Sequence, residues 1–124
     1  MKKLSCHCGA VGAEVKVPEK GFEKIMRCNC SICKRKGAIM SMVKNEDFKI
    51  TKGEDKLKLY QFKTKVAKHY FCTTCGIHTH NLRRADPNTY GINVACLDGI
   101  DPQEIFKLEV GINDGHNHIM DQKK

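Results

Sequence analysis

The chain has 124 residues, 40% of them hydrophobic, and contains no apolar run long enough to span a membrane. Its formal net charge is +8, and eight of its residues are cysteines. The first residues, Met1-Lys2-Lys3-Leu4-Ser5, carry charge without a following apolar stretch, so we expect no signal peptide and a cytoplasmic protein. Because cytoplasmic cysteines are seldom paired in disulfides, this composition favours metal sites in one domain, residues 1–124.

Alternating apolar residues predict a mainly β protein. In residues 10–17, Val11, Ala13, Val15 and Val17 fall on one face of an extended segment that Pro18 closes. Turn signals such as Gly53 and Pro87 separate further strand candidates. These candidates are residues 22–27, 38–43, 48–51, 57–62, 69–71, 77–82 and 90–97.

Helical signals are few. One short helical turn is predicted over residues 31–36 and ends at Gly37, and another is predicted to begin at Asp101-Pro102-Gln103-Glu104. The expected architecture is therefore antiparallel β-sheet with little helix.

Two cysteine pairs far apart in the sequence predict one closed zinc site. Cys6 and Cys8 form a CxC motif whose side chains share a strand face, and Cys72 and Cys75 bracket a tight turn that Gly76 permits. Four thiolates saturate a tetrahedral zinc ion and give it a structural role. A redox-active CxxC is one alternative, but such a motif opens a helix, whereas this one lies between strand candidates. Buried free thiols are the other alternative.

A third cluster predicts a second zinc site with an open coordination position. Cys28 and Cys30 share a strand face, and Cys33 follows one helical step later. Three thiolates leave a position for water or a substrate thiol, and a thiol that binds there loses its proton. The cluster is therefore a candidate catalytic site. Positive charge beside it could attract the carboxylates of a thiol substrate, and the candidate contacts are Lys34, Arg35 and Lys36.

One cysteine and several histidines remain. Cys96 is predicted to be a small buried side chain in a strand, although it could instead close the three-cysteine cluster or line the pocket. His78 and His80 alternate along a strand candidate and share a face, and His69 precedes the CxxC motif by three residues. We expect these histidines to lie at the surface or behind the metal ligands rather than to bind metal themselves.

Zinc binding changes what the net charge implies. A four-thiolate site carries a net charge of about −2, and a three-thiolate site carries about −1. Adding these net charges, −3 in total, to the formal +8 gives a net charge of about +5 for the metal-loaded protein. The lysines alternate with apolar residues, as on the solvated face of strands, and aromatic residues are only 6% of the chain. We therefore expect neither nucleic acid nor a membrane as a partner, and the oligomeric state stays open.

Together these motifs resemble the glutathione-dependent formaldehyde-activating enzyme family, including its short centromere protein V-like members. The similarity covers nearly the whole chain and runs through Cys6-His7-Cys8-Gly9, Arg27-Cys28-Asn29-Cys30-Ser31-Ile32-Cys33, Lys36-Gly37, His69-Tyr70-Phe71-Cys72-Thr73-Thr74-Cys75-Gly76-Ile77-His78 and Asn93-Val94-Ala95-Cys96-Leu97-Asp98. The resemblance implies an Mss4-like fold of coiled antiparallel β-sheets stabilised by two zinc ions per chain. It also implies carbon–sulfur lyase chemistry, the synthesis of S-(hydroxymethyl)glutathione from glutathione and formaldehyde. By motif, the structural metal is assigned to Cys6, Cys8, Cys72 and Cys75, and the catalytic metal to Cys28, Cys30 and Cys33.

The sequence is compatible with three kinds of function. The first is a zinc-dependent enzyme that adds a small thiol such as glutathione to a carbonyl carbon such as that of formaldehyde, or releases it. The second is a non-catalytic zinc module that binds a protein or nucleic acid through its basic surface. The third is a thiol redox or metal-handling protein. The three-cysteine cluster favours the enzyme, because a purely structural zinc site needs no open position.

Overall fold

A computed structural model of the protein describes residues 2–17, 25–62, 65–83, 86–100 and 111–113. The strands are β1 (Lys2–Ser5), β2 (Gly12–Val15), β3 (Ile25–Cys28), β4 (Met40–Lys44), β5 (Phe48–Lys52), β6 (Leu57–Tyr60), β7 (Lys68–Cys72), β8 (His78–Leu82), β9 (Thr89–Asn93) and β10 (Gly111–Asn113). Helical structure in this part of the chain comprises α1 (Cys33–Lys36) and the 3-10 helices Asn45–Asp47, Glu54–Lys56 and Val94–Cys96. None of these described helices has the length and apolar character that crossing a bilayer requires.

The described strands form two sheets. One has three strands in the order β1-β2-β5, and the other has seven in the order β10-β3-β4-β9-β8-β7-β6. These neighbours pair antiparallel except β10 and β3, which are parallel. An isolated bridge between Leu4 in β1 and Leu97, shortly after β9, links the two sheets. The predicted mainly β fold with antiparallel sheets is confirmed.

Burial along the chain follows the predicted alternation. In and beside β2, Val11, Ala13 and Val15 are buried, whereas Gly12 and Glu14 are partly exposed. Removing such apolar side chains from water is the main favourable contribution to folding. The larger core cluster draws on both sheets and contains Leu4, Ala13, Val15, Ile39, Val43, Phe48, Ile92, Val94, Cys96 and Leu97.

The element boundaries differ from the predicted ones at several points. The candidate at 90–97 ends early, because the Asn93 side chain accepts a hydrogen bond from the Ala95 backbone N–H (3.2 Å) and caps the 3-10 helix Val94–Cys96. Neither β1 nor β10 was among the strand candidates. The helical turn predicted over 31–36 is confirmed in position by α1 (Cys33–Lys36), which Gly37 caps. The helix predicted from Asp101 lies outside the described residues.

His80 lies in an aromatic environment in the interior and not at the surface, which was one of the two positions expected for the histidines. Its side chain is buried, and its ring centroid lies 4.6 Å from that of Phe48 and 4.7 Å from that of Tyr70. Tyr90 packs edge-on against it at 5.5 Å. Burial lowers the pKa of His80 to about 4, so the ring is neutral at pH 7.

This burial predicts a pH dependence of stability. A histidine in the unfolded chain takes up a proton at about pH 6.5, whereas folded His80 stays neutral down to about pH 4. The stabilising effect is therefore complete above the unfolded pKa and is lost as the pH falls toward the folded pKa. When the pH falls from 7 to about 4.5, the free energy of unfolding of His80→Phe should decrease by about 2 kcal/mol less than that of the wild type. Urea unfolding at both pH values measures the difference, and equal losses in the two proteins would contradict it.

Candidate functional site

The first cysteine cluster has the dimensions of a tetrahedral zinc–thiolate site. The Sγ atoms of Cys6 and Cys8 are 3.6 Å apart, and those of Cys8 and Cys72 are 3.7 Å apart. With Cys75, all four ligand atoms lie within 4.8 Å of one another. A tetrahedral zinc ion with Zn–S bonds of about 2.3 Å separates its sulfur atoms by about 3.8 Å. The four side chains therefore fit one metal ion, and we call them the closed cluster.

Turns, not strands, position most of the closed cluster. Cys6 and Cys8 lie in the turn after β1, which corrects the expectation that the CxC motif is part of a strand. The backbone N–H of Val11 donates to Cys6 Sγ (3.3 Å), an arrangement that favours a thiolate. Cys72 ends β7, and its carbonyl accepts from the N–H of Gly76 (2.8 Å). Gly76 has a φ of 75°, which glycine adopts without the steric cost of a side chain.

The closed cluster lies where several segments meet. The Thr73 backbone N–H and hydroxyl both donate to the Lys56 carbonyl, at 2.9 and 2.8 Å, and tie the CxxC turn to the β5–β6 connection. In that connection Gly53 approaches residue 10 so closely that a Cβ there would lie 1.9 Å from the Ala10 carbonyl oxygen. Cys6 and Cys72 are buried with Val11 in a second, smaller apolar cluster. The fold around the closed cluster thus depends on contacts between distant parts of the chain.

The protonation of the closed cluster is shared among its thiols. Burial raises the pKa of the Cys75 thiol, but hydrogen bonds from the backbone of Cys8 and Ile77 and from the Cys72 and Cys8 thiols outweigh it and bring the pKa to about 6. A thiol that ionises this readily is a good metal ligand, because only the thiolate binds metal.

The second cluster, which we call the open cluster, spans the end of β3 and the start of α1. Cys28 ends β3, Cys30 lies in the following bend, and Cys33 is the first residue of α1. Their sulfur atoms lie within 4.8 Å of one another, and all three side chains are half-buried. The donor set is three thiolates, which suits a zinc ion with one position left for another ligand.

Hydrogen bonds concentrate negative charge on the middle cysteine of the open cluster. Cys30 Sγ accepts from the backbone N–H of Cys33 (3.4 Å). Hydrogen bonds from the Cys28 and Cys33 thiols further lower the pKa of Cys30 well below its usual range. The same contacts raise the pKa of Cys33, because the proton stays on the thiol that donates. These contacts favour the thiolate form of Cys30.

The three basic residues of α1 take different positions. Lys34 and Arg35 are exposed, and the Arg35 guanidinium donates to the Ser31 carbonyl (2.6 Å). Lys36 is half-buried, and its Nζ lies 3.1 Å from His69 Nδ1 and 3.2 Å from His78 Nε2. The structure thus separates the basic run into two solvent-facing side chains and one that points toward histidines of β7 and β8.

His69 and His78 are both buried, so of the two positions expected for them, at the surface or behind the metal ligands, the surface is excluded. The register between β7 and β8 shifts between Tyr70 and Phe71. As a result His78 lies near His69, with ring centroids 6.5 Å apart, while His80 stacks on Tyr70. His78 and His80 were predicted to share a strand face, but their rings contact different neighbours.

Burial, assisted by the charge of Lys36, lowers the pKa of His69 to about 4 and that of His78 to about 2. Both rings are therefore neutral at pH 7 and can accept hydrogen bonds from the lysine. Sequence reasoning did not connect these three residues. The available signal was their spacing: Lys36 follows Cys33 by one helical turn, and the histidines lie three residues before Cys72 and three after Cys75.

Cys96 lies outside both clusters. Its side chain is buried, and its thiol donates to the His78 carbonyl (3.7 Å). Burial raises its pKa to about 12, so it remains a neutral thiol. This agrees with the prediction of a small buried side chain, although it lies in the 3-10 helix Val94–Cys96 and not in a strand.

A mainly β scaffold that gathers two groups of thiols, four in one and three in the other, defines a protein that could hold metal at two cysteine sites. The model of the glutathione-dependent formaldehyde-activating enzyme family matches residues 1–112, and the chain belongs to this family. The crystal structure of a Rhodobacter sphaeroides protein is similar, with a TM-score of 0.82 and 47% sequence identity. That match covers 90% of this chain and 99% of the other. The predicted family resemblance is confirmed, and the family is one of carbon–sulfur lyase enzymes that act on glutathione and formaldehyde.

Proposed function

We propose that this protein is a zinc-dependent enzyme that joins a small thiol, glutathione in the first instance, to the carbonyl carbon of formaldehyde, and catalyses the reverse reaction. The observation that carries the proposal is the open cluster: three half-buried thiols within 4.8 Å of one another, beside a lysine that points inward. A purely structural site would need a fourth ligand. In this proposal each chain holds two zinc ions, one in each cluster.

The two clusters have different roles in the proposal. Cys6, Cys8, Cys72 and Cys75 hold a metal ion that stabilises the fold, and Cys28, Cys30 and Cys33 hold the metal ion of the active site. When bound, the second zinc ion supplies Lewis acidity that converts a substrate thiol to its thiolate at neutral pH. The thiolate is the nucleophile toward the aldehyde carbon.

The residues of α1 contribute the charge around this site. Lys34 and Arg35 are exposed beside Cys33 and can attract the carboxylates of glutathione as it approaches. Lys36 adds positive charge closer to the sulfur atoms, where it offsets the negative charge of the thiolates. Attraction at the surface favours acidic thiols over neutral ones.

An NMR exchange experiment tests the proposal. With ¹³C-labelled formaldehyde and glutathione, the wild-type protein should raise the exchange rate between formaldehyde hydrate and S-(hydroxymethyl)glutathione in proportion to protein concentration. In cobalt-substituted protein, glutathione should change the sulfur-to-metal charge-transfer absorption, whereas S-methylglutathione, which lacks the thiol, should not. A protein that neither accelerates the exchange nor changes its cobalt spectrum would instead be a non-catalytic metal-binding module.

A further inference from the structure

The contacts of Lys36 fix the hydrogen-bonding state of its two histidine partners. A lysine ammonium is only a donor, so His69 Nδ1 and His78 Nε2 both accept from Lys36 Nζ. Each neutral imidazole then carries its own proton on the other ring nitrogen. For His78 this is Nδ1, which is buried and has no hydrogen-bond partner in the described part of the chain. The two rings thus hold the lysine head group from two directions.

This arrangement leaves part of the ammonium available. An ammonium has three N–H groups, and two of them are directed to His69 and His78. These two contacts leave the third N–H of the Lys36 ammonium for another acceptor. A half-buried N–H without an acceptor is energetically costly unless water or a ligand oxygen fills the position.

The same head group lies beside the open cluster. Lys36 and Cys33 are three residues apart on α1 and therefore occupy the same side of the helix. Burial lowers the pKa of Lys36, and the charges of Cys33, Cys30 and Cys28 oppose that effect, so the ammonium is within electrostatic reach of all three sulfur atoms. In the adduct of a thiol with an aldehyde, sulfur and oxygen are bonded to the same carbon. The oxygen of the adduct therefore lies close to the substrate sulfur, where it can accept a hydrogen bond from Lys36.

We propose that Lys36 is a catalytic residue whose third N–H donates to the carbonyl oxygen of the aldehyde, with His69 and His78 as positioning residues. This inference rests on the proposed function and deepens it, because it assigns the group that acts on oxygen. The proposed function by itself requires a thiolate and an aldehyde and names no residue that contacts the aldehyde oxygen. A preorganised donor at an oxygen that gains negative charge is a large source of rate acceleration.

The substrate thiolate forms the S–C bond while the π electron pair of the C=O bond moves to oxygen. The Lys36 ammonium gives a proton to that oxygen, which becomes the hydroxyl of the product. The proton released when the next thiol ionises returns to the lysine amine, so one proton passes from sulfur to oxygen in each turnover. In the reverse direction the amine removes the hydroxyl proton as the S–C bond breaks.

Lys36→Met tests the assignment, with Lys49→Met as the matched control, because Lys49 is an exposed lysine in β5 of the other sheet. In the NMR exchange assay, Lys36→Met should lower kcat about 100-fold while the KM for glutathione stays within about threefold of the wild type. The glutathione-induced change in the cobalt spectrum should persist, because thiol binding does not need Lys36. Lys49→Met should leave kcat unchanged. Lys36→Arg, which keeps donors and charge, should recover part of the lost kcat.

The outcomes separate this inference from the function on which it rests. If the wild type accelerates exchange and Lys36→Met keeps its kcat, the inference is overturned and the function stands. A rise in KM with unchanged kcat would also overturn it, since Lys36 would then contact the substrate carboxylates. If the wild type itself is inactive, function and inference fall together. Should Lys36→Met fail to fold, His69→Gln and His78→Gln carry the test: each should lower kcat several-fold at constant KM, and unchanged kcat in both would overturn the inference.

Discussion

Cys72→Ser is expected to abolish stable folding. Cys72 is fully buried, and its sulfur lies 3.7 Å from that of Cys8 in the closed cluster. Structural zinc binding contributes about 10–16 kcal/mol in small zinc domains, which is as large as the total stability of about 5–15 kcal/mol of most domains. The variant should be recovered with about one zinc ion fewer and without a cooperative thermal transition. Metal analysis and circular dichroism on freshly purified protein measure both.

Cys96→Ser is the matched control for this variant. Cys96 is also a buried cysteine in the core, but it lies outside both clusters. The exchange of a buried thiol for a hydroxyl that can still donate to the His78 carbonyl should cost only about 1–2 kcal/mol. Equal destabilisation of the two variants, or full zinc content in Cys72→Ser, would contradict a metal-dependent role for Cys72.

Cys30→Ser is expected to abolish activity and spare the fold. Cys30 is the half-buried thiol on which the open cluster places its negative charge, and serine is a poor ligand for zinc. The variant should lose one of two zinc ions, reduce the exchange rate to that of buffer, and show no cobalt response to glutathione. Its melting temperature should stay within a few degrees of the wild type.

The contrast between the two clusters is the decisive measurement. The open cluster spans only the end of β3 and the start of α1, whereas the closed cluster joins segments 64 residues apart. Loss of a metal ion that closes a long loop removes more folding free energy than loss of a local one. If Cys30→Ser unfolds as completely as Cys72→Ser, the open cluster is structural and the proposed enzyme activity loses its main support.

Spacing alone was sufficient to predict the two cysteine clusters and the general architecture. The Cys6/Cys8 and Cys72/Cys75 pairs were grouped correctly because CxC and CxxC spacings let sulfur atoms converge on one metal ion, whichever turns present them. The strand at residues 10–17 was also predicted from a local pattern, because a strand with one buried face has alternating apolar residues. The short helix before Gly37 was also found from local signals.

The same local reasoning failed where a contact decides the structure. The CxC motif was assigned to a strand, yet it forms a turn that the Val11 backbone stabilises by hydrogen bonds. The histidines were expected at the surface or behind the metal ligands, and the register shift between β7 and β8 places His78 beside His69 in the interior. The periodicity of a single strand does not predict a bulge, because the position of the extra residue depends on the pairing with the neighbouring strand.

The family, the mainly β fold and the two groups of cysteines could be predicted from the sequence, because composition, alternation and ligand spacing are local properties of the chain. The difference between Lys36 and its neighbours Lys34 and Arg35 could not be predicted in this way, because it depends on tertiary contacts. The three are equivalent in the sequence as a run of positive charge. They differ because β7 and β8 bring two histidine nitrogens within 3.1 and 3.2 Å of one of them. Which member of a charged run is buried depends on what packs against it, and that is fixed by residues more than thirty positions away in the chain.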